Sequence, residues 1–508
     1  MKLAAALAAA LLLAACASVP PTAVKAGSNW IRVADTCNCN GAVAKSPDAV
    51  LRDAVGHDPA AYEYARKVGA AETALTRRPA IAGNKVELLV DGPAAHAAQL
   101  DAIRKAKHHI HLDIYIITDE KIGQQYAEAL SARARAGVIV RLAFDSIGGA
   151  GAGEKFKDEL KAAGVQLLEF HKTKDLRIWR VNRRSHRKLL VVDGLVAFTG
   201  GINIMDEYTE SSPNGEARAT GVAASSSGAS GSGGSAGSSG GEEPSGGSGM
   251  RPSQLPPGAG WRDTHIKVEG PAVASFQRAF LEAWEAGKGE IDLSGQYFPP
   301  QQAVGDDIVR VLTSEGTDLL SVFLAVPESA AKALLNRREK KNVIYGTYFS
   351  AIKLAEKSVW ITQSYFAPNE DFTALLCDTA KRGVDVRLLL PAKSDVGFLP
   401  LITRHYYDRL LKAGIKIYEY KPVMLHAKTA VVDGVWSTVG SANLDYRSFI
   451  HNDEANAVVI GKRFGTKMET LFTQDMAQSH RITLEEWRAR PWVERLKETG
   501  ASLIKYWI

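Results

Sequence analysis

Two eight-residue segments hold the residue types that chemistry needs: HRKLLVVD, with His186, Lys188 and Asp193, and HAKTAVVD, with His426, Lys428 and Asp433. Counted from each histidine, the lysine lies 2 residues on and the aspartate 7, followed by a glycine (Gly200, Gly440) at 14 and an asparagine (Asn203, Asn443) at 17. An imidazole exchanges its proton near neutral pH, so it can attack, accept a proton or deliver one. Residues two apart on a strand share a face, about 7 Å apart, so each His–Lys pair projects together. The two aspartates complete the candidate catalytic motifs but have the opposite parity, which makes them structural or orienting residues. A single HxK on a strand is commonly surface decoration; two copies at matched offsets are not.

The elements that must position these motifs also come twice. Ala102-Ile103-Arg104 matches Ala351-Ile352-Lys353, Gly137-Val138 matches Gly383-Val384, and DELKAAGVQLLEF (158–170) matches DRLLKAGIKIYEY (408–420). Each unit alternates helical apolar spacing with β-branched runs opened by glycine. The expected fold is therefore α/β, with mixed, largely parallel sheets flanked by helices. Two homologous halves should pack as a pseudo-dimer with their motifs face to face. The expected division is a leader over 1–16, a tether and helix over 17–81, a first half over 82–300 (motif 180–207) and a second over 301–508 (motif 420–447) with a helical tail. The first half is interrupted at 211–260 by a Gly/Ser tract too poor in apolar residues to offset its ordering entropy, hence expected to be a disordered surface insertion.

The chain has 508 residues, 45% apolar and 23% charged, and a net charge of +6. This composition is that of a globular protein, and its mild basicity suits anionic lipid or nucleic acid without choosing between them. Lys2 and the apolar run Leu3–Ala15 are too short to span a bilayer, which takes about 20 residues. Leu13-Ala14-Ala15-Cys16 reads as a lipoprotein box with Cys16 as the acylated residue. That places the protein on the bacterial cell envelope, and Ala17 after Cys16 points to the periplasmic face of the outer membrane. Cys37, Cys39 and Cys377 suggest neither a disulfide nor a metal site. His108, His109 and His111 are read as partly exposed residues at a helix–strand junction, not metal ligands. Tyr365-Phe366 and GFLPLI (397–402) fit an acyl-chain groove or plain packing equally well.

The paired motifs resemble the HxKxxxxD signatures of the phospholipase D superfamily. The flanks are similar to its cardiolipin synthase branch: GNKVELLVDG (83–92), GGINI (200–204), WRDTHIKVEGPAV (261–273), QSYFAPNED (363–371) and MLHAKTAVVDGVWSTVGSANLDYRSF (424–449). The likeness runs from about Gly83 to near Arg490; the Gly/Ser insert, the lipoprotein-like start and residues 310–340 depart from it. It implies one active site made by both motifs, with no cofactor and no metal. Lys188, Lys428, Asn203 and Asn443 would bind phosphate oxygens and stabilise a pentacovalent state. His186 would form a phosphohistidine and His426 would act as acid and then base. Asp263 and Glu454 occupy the positions of the carboxylates that orient the imidazoles. The implied substrates are phospholipids such as phosphatidylglycerol, with cardiolipin or, with water as acceptor, phosphatidic acid as product. No nucleic-acid partner is expected, and the oligomeric state is open. A secreted nuclease of the same superfamily and a non-catalytic lipid-binding lipoprotein are the competing readings.

Overall fold

The structure is a computed structural model that describes residues 31–32, 46–172, 183–213, 259–292, 295–316 and 342–502. Cys16, Cys37 and Cys39 lie outside these residues, and so do positions 214–258 of the Gly/Ser tract.

Seven strands repeat in the sheet of each half, and the second half adds an edge strand, Ser479–Ile482, antiparallel to Lys416–Tyr420. In the first they are β1 (Ala80–Val90), β2 (His109–Ile114), β3 (Ile139–Asp145), β4 (Gln166–Phe170), β5 (Lys188–Val192), β6 (Val196–Gly200) and β7 (Thr264–Glu269). In the second they are β8 (Asp307–Ser314), β9 (Ser358–Gln363), β10 (Asp385–Pro391), β11 (Lys416–Tyr420), β12 (Lys428–Val432), β13 (Trp436–Gly440) and β14 (Asn452–Ile460). The strand order is 4-3-2-5-6-7-1 in the first half and 8-14-13-12-9-10-11 in the second, the same arrangement reversed. β1 and β8 pair antiparallel at the junction, so one continuous sheet crosses the molecule with a pseudo-two-fold at its middle.

The helices repeat as well. α1 (Pro59–Thr76) precedes the repeat; α2 (Asp91–Lys105), α3 (Lys121–Arg135), α4 (Glu154–Ala162) and α5 (Val273–Ala286) correspond to α6 (Val343–Leu354), α7 (Glu370–Lys381), α8 (Tyr407–Lys412) and α9 (Lys462–Ala477). α3 and α7 each end on a glycine at positive φ, Gly137 (87°) and Gly383 (92°), which turns the chain into the next strand without a Cβ clash. The inner strands β2, β5, β12 and β14 are buried along their whole length, because helices cover both faces.

The expectation of a largely parallel sheet needs correction. Parallel pairs occur within β2–β3–β4 and β9–β10–β11, and the remaining neighbours in the seven-strand sheets are antiparallel. The cause is the turn that follows each motif. Asp193-Gly194 and Asp433-Gly434 all have positive φ, the geometry of tight hairpins, and a hairpin joins antiparallel strands.

One boundary also differs from expectation. The insert does not start at 211: Ser212 is buried, and its N–H and hydroxyl both donate to Asp91 Oδ2 (2.9 and 2.6 Å). The Gly260 N–H donates to the Ser211 carbonyl at 3.1 Å, so the ends of the tract meet. The expected N-terminal helix forms as α1 and packs on the second half, where the Tyr64 hydroxyl donates to the Ala351 carbonyl of α6 (3.2 Å). Its Glu72 is fully buried, receives the Trp436 indole N–H (2.7 Å) and pairs with Arg310 (3.1 Å). A buried charge pair costs less than either charge alone, so α1 is locked onto the second half.

Candidate active site

β5 and β12 start at Lys188 and Lys428, and the histidines stand just before them, where the chain enters the sheet. Each entry is pinned by the other half. The His186 N–H donates to the Asp453 carbonyl (2.8 Å) and the His426 N–H to the Arg262 carbonyl (2.7 Å). Asp453 and Arg262 immediately precede Glu454 and Asp263. The register repeats too: Gly200 faces His265 and Gly440 faces Asn456, so both carboxylates lie two residues before the partner of the motif glycine.

This places each carboxylate on the imidazole of the opposite half. His186 Nδ1 is 3.0 Å from Glu454 Oε2, and His426 Nδ1 is 2.7 Å from Asp263 Oδ2. All four groups are buried. Burial raises the Glu454 carboxyl, but His186, Lys188 and the Ser441 hydroxyl outweigh it and hold it at about 2. Burial lowers the His186 imidazole to about 4, against the pull of Glu454. At neutral pH the pair is therefore an ionised carboxylate beside a neutral ring, with Nδ1–H donating and the Nε2 lone pair exposed to a substrate. His426 is likewise lowered, by burial and then by Lys428, with Asp263 opposing.

The lysines complete the site. Lys188 Nζ donates to the His186 carbonyl (2.9 Å) and lies 5.0 Å from the centre of the Tyr115 ring. Lys428 Nζ donates to the His426 carbonyl (2.5 Å) and stands 3.0 Å from His426 Nε2. Burial lowers Lys188 to about 7 and Lys428 to about 8. An anion between them would restore the charge that burial opposes. Asn203 and Asn443 are buried nearby, each with its Oδ1 engaged, by the Ile116 N–H (3.2 Å) and the Ser364 hydroxyl (2.8 Å). Fixing the oxygen orients the amide nitrogen away from it.

The halves differ in detail. The Ser441 hydroxyl donates to Glu454 Oε2 (2.5 Å), and the Asn452 amide donates to Oε1 (3.1 Å). At the matching position Gly201 has no room for a side chain, because a Cβ would lie 2.2 Å from Asp263 Oδ1. His426 instead has the Tyr208 hydroxyl 2.7 Å from Nδ1, with the Trp261 and Tyr365 rings beside it. Sequence reasoning missed Tyr115, Tyr208, Ser441 and Asn452 as site residues. Only Ser441 carried a signal, as the one departure between the Gly-Gly-x-Asn and Gly-Ser-x-Asn turns.

Asp193 and Asp433, counted among the catalytic candidates, lie at the far ends of β5 and β12. Five residues at about 3.3 Å each put them roughly 16 Å from the lysines. Asp193 accepts the N–H groups of Lys107, His108 and His109 (2.8, 2.7 and 2.9 Å), and Asp433 those of Glu356, Lys357 and Ser358 (2.9, 2.8 and 2.9 Å). They are structural, tying a hairpin to the start of β2 or β9. Asp193→Ala or Asp433→Ala should cost about 2–3 kcal/mol in urea unfolding and leave turnover per folded molecule within about threefold. Lost turnover at unchanged stability would return them to the chemistry.

The histidine cluster also needs correction. His108 is exposed, but His109 and His111 are buried in a polar network. Gln277 contacts both, at 3.0 Å from His109 Nε2 and 2.7 Å from His111 Nδ1, and Arg141 lies 3.0 Å from His111 Nε2. No group of three metal-ligating side chains gathers among the described residues. Phe366, Leu399 and Ile402 are core residues, whereas Tyr365 borders the site and donates to Asp395 (2.7 Å).

Comparison with known proteins agrees with this geometry. The family model described as "Cardiolipin synthase, PLD-like domain" matches residues 100–218 and 348–476, one match per half. The cardiolipin synthase of Alkalihalophilus pseudofirmus is 30% identical over 457 residues, 89% of this chain and 77% of the relative. That of Halalkalibacterium halodurans is 32% identical over 432 residues, 85% and 73% of the two chains. The phosphatidylserine synthase structure of Haemophilus influenzae has the same fold, with a TM-score of 0.56 at 13% identity over 87% of this chain and 100% of that one. Fold and matches together define a phospholipase D-type phosphatidyltransferase. Within that class the chain belongs to the cardiolipin synthase family.

Proposed function

We propose that the protein transfers a phosphatidyl group from phosphatidylglycerol to the hydroxyl of a second phosphatidylglycerol, releasing glycerol and forming cardiolipin. The observation that carries this reading is the pair of imidazole–carboxylate contacts, each completed across the halves and each with a buried lysine beside it. His186 Nε2 would attack phosphorus while the bond to the glycerol oxygen breaks, and His426 would give that oxygen its proton. The neutral His426 would then take the proton of the acceptor hydroxyl as its oxygen displaces His186. Lys188, Lys428 and the amides of Asn203 and Asn443 would hold the charge gathered on phosphorus. Named relatives support the lipid acceptor, and acylation of Cys16 would keep the site at the envelope membrane. No helix among the described residues is long and apolar enough to cross a bilayer.

The test is incubation of the purified protein with phosphatidylglycerol and mass analysis of the products. Cardiolipin and glycerol are expected in equal amounts. Phosphatidic acid as the dominant product, with or without added glycerol, would make the protein a hydrolase, and cleavage of DNA alone would make it a nuclease.

The lysines set the pH dependence of substrate capture, and the histidines that of the chemical step. Raising the pH through about 7 for Lys188 and about 8 for Lys428 removes their protons in the empty site, and with them the attraction for a phosphodiester. The kcat/KM of a soluble short-chain lipid should fall along this alkaline limb. An alkaline limb above pH 9 would contradict the assignment.

A further inference from the structure

A surface helix of a soluble protein turns its apolar stripe inward. The C-terminal helix Trp492–Ser502 does the reverse. At about 100° per residue, Trp492, Leu496 and Val493 fall within one arc of about 100°. They are 73%, 62% and 42% exposed. On the opposite side Glu498 is buried and pairs with Arg490 at 2.5 Å, while Ala501 packs on the core of the second half. The helix is thus held to the body by a charge and presents its apolar face outward.

Two further observations say what covers that face. Arg495 and Lys497, both exposed, fall just outside the two edges of the arc. Apolar and indole side chains flanked by long cations suit the boundary of a bilayer, where the indole sits among headgroups and the cations reach phosphates. The sequence that follows, Leu503-Ile504-Lys505-Tyr506-Trp507-Ile508, continues the same composition. The helix also packs against Leu399–His405. Just before that segment, Asp395 accepts the hydroxyl of Tyr365, whose ring lies 6.2 Å from that of His426. One short loop therefore links the segment beneath this helix to the rim of the site.

We propose that Trp492, Val493 and Leu496, flanked by Arg495 and Lys497, form a docking face for a phospholipid bilayer that carries anionic headgroups. This rests on the proposed phospholipid substrate and adds a second attachment, independent of Cys16, that presents the site mouth to the lipid surface.

The experiment uses the purified full chain reconstituted in phosphatidylglycerol vesicles. Quenching of Trp492 by brominated phosphatidylglycerol is read as the difference between wild type and Trp492→Phe. Turnover is compared on vesicles and on dissolved short-chain phosphatidylglycerol. The triple variant W492A/V493A/L496A and the charge reversal R495E/K497E should each lower vesicle turnover about tenfold and leave dissolved-lipid turnover within about twofold. The reversal touches no core residue, so it reports even if the triple variant folds poorly. Vesicle turnover unchanged in both variants, with no quenching assigned to Trp492, overturns the proposal. So does sedimentation showing that the variants only dissolve a dimer. Quenching at Trp492 without turnover of any phospholipid would leave the docking face standing and refute the substrate instead.

Discussion

His186→Ala and His426→Ala are each expected to lower turnover by about a thousandfold or more, with folding nearly unchanged. The fold should survive because neither deletion strands a buried charge. Glu454 keeps the Ser441 and Asn452 donors, and Asp263 keeps the Thr264 N–H at 2.7 Å. The two losses should differ in kind. A p-nitrophenyl phosphodiester carries a leaving group that departs without a proton, so it bypasses the acid. His426→Ala should then show a burst of nitrophenol and a trapped covalent adduct, whereas His186→Ala should show neither. A burst in His186→Ala and none in His426→Ala would exchange the two roles. Near-wild-type turnover of phosphatidylglycerol in either variant would refute a shared site.

Much of this arrangement could be read before the structure, and the reasons it stops are physical. Matched offsets from His186 and His426 imply twin strands, and β5 and β12 form, but each starts at its lysine, with the histidine just before the strand and not on it. Resemblance pointed to Asp263 and Glu454, but that each serves the opposite half depends on strand pairing across the pseudo-two-fold, which leaves no local pattern. The predominance of antiparallel pairs in the mixed sheet is legible in the sequence too. Asp-Gly between two apolar runs announces a hairpin, and it stands at 193–194 and 433–434, at the tail of each motif. The burial of His109 and His111 was not legible, because their partner Gln277 lies on α5, far along the chain. The attachment of α1 was hidden in the same way, since Glu72 meets Arg310 and Trp436 only after folding.

The swapped contacts lead to the second large effect. Glu454→Gln and Asp263→Asn are each expected to lower turnover about a hundredfold to a thousandfold, although both amides can still accept an Nδ1–H. What they lose is the charge that opposes burial. Without Glu454 the His186 imidazole, already held at about 4, is lowered further and becomes a weaker nucleophile, so the acid limb of the pH profile should move to still lower pH as the rate falls. Without Asp263 the lowered His426 gives up its proton at lower pH, so less of the acid form is present at neutrality and the alkaline limb should move down. The nitrophenyl substrate separates the two. It should restore the burst in Asp263→Asn, where only the acid is damaged, and leave Glu454→Gln slow, where the nucleophile is. If both variants respond alike to the better leaving group, the carboxylates hold the rings in place without tuning them, and a purely positional role would account for both losses.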